Sequence, residues 1–117
     1  MSMNKNSLAQ EINQLHARIC SAISEPNRIL LLYAVADKPL NVNNLAEIVG
    51  ISQSAASRHL KVLRERGLIQ AQRDGTQVIY TLADDRFIQA LDLLREVMLD
   101  QLSDQADLIK QNQSNER

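Results

Sequence analysis

LAEIVGISQSAASRHLKVLRERGLIQAQRDGTQVIY, residues Leu45–Tyr80, decides the fold class of this 117-residue chain. Gly50 closes a short helix-like segment through about Val49, and Ser52 stands where an N-cap is wanted for the next one. That second helix spans roughly 53–66 and closes at Gly67. Ala56, Leu60 and Leu63 make its apolar stripe, so Gln53, Ser54, Ser57, Arg58 and Lys61 must face outward. Leu68–Arg73 and Gln77–Leu82 are strand-like runs joined by Asp74-Gly75-Thr76, a hairpin signal. Helix, tight turn, polar helix and charged hairpin, in that order, are the parts with which a small protein sets one helix into the major groove of DNA.

Working upstream, Asn41 is the expected N-cap of the helix that ends at Gly50. Before it, Ile29–Val35 is apolar on every side and predicts the buried central helix. Pro26 suits the first turn of that helix, with Ser24 or Glu25 at the cap, and Asp37-Lys38-Pro39 stops it. Leu8, Ile12, Leu15, Ile19 and Ala22 recur at spacings of four and three, predicting an amphipathic helix over roughly 7–23. Downstream, a last helix starts near Asp84, its acidic residues at the positive end. Phe87, Leu91, Leu94 and Met98 form one stripe, widened by Ile88, Val97 and Leu102. The expected layout is an N-terminal arm over 1–7, one domain over 8–102, and a helix end with a polar, disordered tail over 103–117.

Composition narrows the classes. Aromatic content is 3% with no Trp, so the core is built from Leu, Ile, Val and Ala, which favours packed helices over a β-sandwich. One Cys allows neither an internal disulfide nor a CxxC metal knuckle. No apolar run approaches the ~20 residues that cross a bilayer. The start, MSMNKNSLAQEI, lacks the apolar stretch of a signal peptide, so a cytoplasmic protein with no membrane partner is expected.

Net charge is −1, but its distribution is uneven. Residues 52–80 hold five basic groups (Arg58, Lys61, Arg64, Arg66, Arg73) against two acidic ones (Glu65, Asp74), a local +3. The other 88 residues hold eight basic and twelve acidic groups, a local −4. A basic module in an acidic body suits a protein that meets phosphate on one face, although a solvated helix face has the same composition. Small Ser and Ala side chains let a helix approach base edges, where Gln pairs with adenine and Arg with guanine. Helix N-terminal amides and Ser hydroxyls take phosphate. The candidate DNA-contacting set is therefore Ser52, Gln53, Ser54, Ser57, Arg58, His59, Lys61 and Arg64, with Arg73 and Gln77 flanking the hairpin tip; His59 reads as either a phosphate or a packing residue.

ISEPNRILLL, LAEIVGISQSAASRHLKVLRERGLI and RDGTQVIYTL together resemble the ArsR/SmtB family of transcriptional repressors, over about residues 20–100. The resemblance implies a winged helix-turn-helix fold, mainly α with about five helices and a small β-hairpin wing. It also implies a homodimer through the first and last helices, bound to double-stranded operator DNA with an inverted repeat, and release by an inducer. Ser52–Arg66 then corresponds to the DNA-reading helix and Arg73–Gln77 to the wing. A twofold axis would also cover the spare apolar stripes of Leu8, Ile12, Leu15 and Ile19, and of Leu91, Leu94, Met98 and Leu102.

The sequence departs from the sensor patterns of that family. Where many members carry a Cys-x-Cys pair, this chain has Asn41 and Asn43, poor ligands for soft metals. The last-helix metal pattern falls on Asp85, Phe87, Met98 and Gln101, leaving one ligand of four. The dithiol positions fall on Tyr33 and Leu99. No metal and no cofactor is therefore expected. His16 and Cys20, four apart on one helix face, are the remaining sensor candidates for a redox or small-molecule effector; Cys20 also reads as a small buried hydrophobe. Ser57 and His59 point to different faces and make no nucleophile–base pair, and Asp84 with Asp85 suits a helix start, so no enzyme is expected. A redox response through Cys20, and a protein-interaction module on the same scaffold, are the alternatives to an effector-controlled DNA-binding repressor.

Overall fold

The computed structural model describes residues 5–115. It contains α1 (Lys5–Leu15), a π-turn (His16–Cys20), α2 (Pro26–Asp37), α3 (Val42–Val49), α4 (Gln53–Glu65), β1 (Ile69–Asp74), β2 (Gln77–Leu82) and α5 (Arg86–Asn115). The chain divides after Asp85 into two compact units, the second being α5 with the residues that follow it.

In the first unit, Pro26 sits at the start of α2, where its missing N–H costs nothing. Lys38, forced out of helical geometry by Pro39, ends that helix. Leu31 and Leu32 are fully buried and Ala34 and Val35 nearly so, as the apolar run predicts, although Leu30 stays half exposed. Asn41 caps α3 by accepting from the Asn44 N–H at 2.9 Å. Gly50, at φ 81°, closes α3, and the Gly50 and Ile51 amides both return to the Ala46 carbonyl.

The end of α4 is a Schellman closure. Leu68 N–H bonds to Leu63 C=O at 2.9 Å and Gly67 N–H to Arg64 C=O at 3.1 Å, with Leu63 and Leu68 both fully buried. Leu31, Leu32, Leu45, Leu60, Leu63 and Leu68 form the centre of the core. Each such side chain contributes about 1.5–3 kcal/mol by leaving water.

β1 and β2 pair antiparallel from Ile69↔Leu82 to Asp74↔Gln77, so Gly75 and Thr76 alone form the turn. Gly75 has φ 65° and no other residue there has positive φ, the pattern of a type II′ hairpin. Leu40 and Tyr80 exchange backbone hydrogen bonds, which ties the hairpin to the entry of α3.

Two expectations change. The first helix is not continuous over 7–23: it passes into the π-turn at His16, where the Ser21 N–H bonds five residues back to His16 C=O at 2.9 Å. The helical backbone of α5 also runs on through Asn115, where a disordered tail was expected, because no Gly or Pro interrupts it and Ala106, Leu108 and Ile109 continue its apolar positions. Residues 1–4, 116 and 117, the rest of the expected arm and tail, lie outside the described residues.

Candidate nucleic-acid interface

Helix α4 turns about 100° per residue, so its buried stripe fixes what it displays. Ala56, Leu60 and Leu63 are fully buried. Ser54, Ser57, Arg58 and Lys61 lie exposed on the far arc, while Gln53 in the first turn and Arg64 in the last are exposed at the edge of the buried stripe. Ser52 begins the helix: its Oγ accepts from the Ala55 N–H at 3.1 Å and lies 3.4 Å from Ser54 Oγ. The remaining N-terminal amides of α4 open toward the same exposed end.

The hairpin stands beside this helix. Ser57, Arg58, Leu60, Lys61 and Arg64 of α4 and Tyr80 of β2 line an open cleft of about 240 Å³. Arg73 is exposed near the hairpin tip. Gln77 is steadied from α3, where Asn41 Nδ2 donates to its Oε1 at 3.5 Å. The cap of α3 therefore also aims the wing.

Of the two roles open to His59, phosphate contact and packing, its position suits packing. One residue on from Arg58, it turns inward and is half-buried, with Nε2 3.6 Å from Glu25 Oε2 and Nδ1 3.5 Å from Arg28 Nη1. It packs α4 onto the start of α2 instead of offering itself to a ligand. Arg66 also leaves the displayed charge, because its Nη1 donates to the Ala17 carbonyl. The exposed ions of residues 52–80 are then Arg58, Lys61, Arg64 and Arg73 against Glu65 and Asp74. That face is still basic, and its cations are concentrated along one side of α4. Arg28, Arg66, Tyr80 and the Asn41–Gln77 link were missed as positioning residues. The basic residue next to Gly67 was the available signal, since cations favour helix C-termini.

Of the expected pairing residues, Leu8, Ile12 and Leu15 on α1 and Leu94, Met98 and Leu102 on α5 are exposed, from 39% to 65%. Ile19 is half-buried. Leu91 is at 8% exposure. His16 and Cys20 are both exposed on the π-turn, so Cys20 is not a buried hydrophobe, and its thiol is free. Among the described residues no three His, Cys, Asp or Glu side chains are grouped to hold a metal ion.

This geometry can be set beside known proteins. Residues 25–71 match the family described as bacterial regulatory protein, arsR family. The chain is 39% identical over 83 residues to the HTH-type transcriptional regulator NmtR of Mycobacterium tuberculosis, covering 68% of this chain and 69% of that protein. It is 38% identical over 84 residues to a transcriptional repressor SmtB homolog of Synechocystis, covering 72% and 61% respectively. Its structure is similar to that of a homodimeric winged helix-turn-helix DNA-binding domain (fragment 1–100) from Mycobacterium bovis, a possible ArsR-family regulator. The TM-score is 0.73 at 26% identity, over 87% of this chain and 94% of that one.

Proposed function

Because this chain belongs to the arsR family of bacterial regulatory proteins, we infer that it is a DNA-binding transcriptional regulator and not an enzyme. It works as a homodimer on an inverted-repeat operator and represses transcription while bound. The observation that carries this reading is the exposed surface of α4, on which Ser54, Ser57, Arg58 and Lys61 stand away from a fully buried stripe and Gln53 and Arg64 are exposed at its edge. Such an arc offers pairing groups to base edges and cations to phosphate from one rigid element.

The exposed apolar side chains of α1 and α5 support the homodimer, because isolated chains seldom leave such stripes in water. Twofold symmetry would place two copies of α4 about 34 Å apart, one turn of duplex. One copy alone would neutralise too little phosphate to bind well at cellular salt. No described helix is long and apolar enough to cross a membrane. A regulator of chromosomal promoters has its place in the cytoplasm.

Selection of duplexes from a random pool by the purified protein, followed by gel shift, tests the reading. The expected product is an inverted repeat bound by a dimer, with affinity reduced in Arg58→Ala and Gln53→Ala while the dimer persists. Undiminished affinity in both variants would show that α4 is not the reading element. A protein-interaction role would show itself as DNA binding that is absent at low salt as well as high.

A further inference from the structure

The π-turn is held to the rest of its unit in an unusual way. None of its five residues is fully buried and only Ile19 is half-buried, so apolar packing of its own side chains is a small part of what holds it. Its backbone instead presents carbonyls that the helix no longer uses. The Ser21 N–H, which would bond to Ala17 C=O in a regular α-helix, goes to His16 C=O instead. Ala17 C=O accepts from Ser21 Oγ at 2.5 Å and from Arg66 Nη1 at the end of α4. Beyond the turn, Ala22 C=O accepts from Arg28 Nε at 2.6 Å and Ser21 C=O from Arg28 Nη2 at 3.2 Å.

Arg28 also reaches α4. Its Nη1 lies 3.5 Å from His59 Nδ1, and a guanidinium only donates, so this contact needs the Nδ1 lone pair. The other ring nitrogen, Nε2, faces Glu25 Oε2 at 3.6 Å. Two fixed cations thus grip the carbonyl-rich end of the first helix, one from the tip of α4 and one leaning on its middle. Cations are the favoured partners of a helix C-terminus, and charged donors make the stronger hydrogen bonds.

Resting on the homodimeric DNA-binding reading above, we propose that Arg66 and Arg28 are positioning residues for operator recognition, fixing α4 to the first helix and thereby setting the half-site spacing the dimer accepts. The first helix leaves Leu8, Ile12 and Leu15 exposed, the side chains that the homodimer reading gives to a second copy. Its orientation against α4 therefore enters the separation of the two reading helices twice. A loosened joint leaves each reading surface intact but lets the pair fit more than one spacing, with less affinity at the right one.

The test uses the duplex that the wild-type protein selects from a random pool, and the same duplex with one base pair inserted between half-sites. That insertion shifts one site by about 3.4 Å and turns it by about 35°. Wild-type protein is expected to prefer the selected spacing by about tenfold or more, the order of one mismatched contact. Arg66→Met, which keeps the stem and removes the donors, is expected to cut that preference to about threefold or less, on the same scale. Dimer mass by light scattering and the salt slope of binding stay as in wild type. Arg66→Lys, keeping the charge and a donor, restores part of the preference and serves if Arg66→Met folds poorly. Arg28→Met is expected to act in the same direction.

An unchanged spacing preference in folded Arg66→Met overturns the inference and leaves the DNA-binding reading standing. A shallower salt slope with unchanged preference also overturns it, because Arg66 would then be touching phosphate. Failure of the wild-type protein to select any duplex overturns the DNA-binding reading and this inference with it.

Discussion

Lys61 separates electrostatic from base-reading contacts more cleanly than any other residue of α4. It is exposed, lies one turn from both Arg58 and Arg64 on the same arc, and lines the cleft closed by Tyr80. Under the proposed reading, a Lys there would meet phosphate as a point charge, since it carries no base-pairing fork. Each neutralised phosphate steepens the dependence of log affinity on log salt by about 0.9 on B-DNA. A homodimer brings two copies of Lys61 to each operator, so Lys61→Met is expected to make the slope shallower by about 1.8. Over a rise from about 50 to about 200 mM salt, the variant's disadvantage against wild type then narrows by about 12-fold. Gln53→Ala is the control: losing a bidentate base contact costs about 1–3 kcal/mol per half-site at any salt and leaves the slope alone. Fluorescence anisotropy on the selected duplex, at five or so salt concentrations, reads both quantities. A Lys61→Met slope equal to that of wild type would refute the phosphate assignment. A slope change in Gln53→Ala would refute the division of labour along the helix.

Further outcomes follow from the fold itself. Leu60 is fully buried between α4 and the core, so Leu60→Ala should cost about 2–5 kcal/mol in urea unfolding followed by circular dichroism, and a smaller loss would mean the site collapses well. Gly50 has φ 81° with open space around the missing Cβ, so Gly50→Ala should cost about 1–2 kcal/mol of backbone strain alone; an unchanged midpoint would contradict the αL closure of α3. Asn41→Ala removes both the α3 cap and the Gln77 link. Unfolding should then become easier by about 1 kcal/mol, and hydrogen exchange in β2 faster, whereas unchanged exchange would free the wing from α3. Zinc, cadmium or arsenite titrated into the protein–DNA complex should cause no tight stoichiometric release, because Asn41 and Asn43 supply neutral amides where thiolates would be needed.

The features legible in the sequence were those governed by one or two neighbouring residues. Asn41 and Ser52 cap the helices they precede, and Gly50, Gly67 and Gly75 take positive φ at the expected closures. The arc of α4 also followed from the spacing of Ala56, Leu60 and Leu63. For His59 the sequence left phosphate contact and packing both open, because the 100° step swings it toward Glu25 and Arg28, more than thirty residues earlier. The π-turn was illegible for a similar reason. LHARIC keeps an unbroken helical pattern, and what claims the Ala17 carbonyl is a guanidinium 49 residues away.

The closure of the hairpin by Gly75 and Thr76 constrains how the reach of this domain could be altered by engineering or drift. Adding a single residue to each strand would lengthen the ribbon by about 3.4 Å but send Arg73 to the opposite side of its pleat. Lengthening by two residues per strand, about 6.8 Å, is the smallest extension that keeps the cation on its present side. The wing can therefore grow only in steps comparable to two stacked base pairs, and a half-step would exchange an arginine for whatever the other side carries.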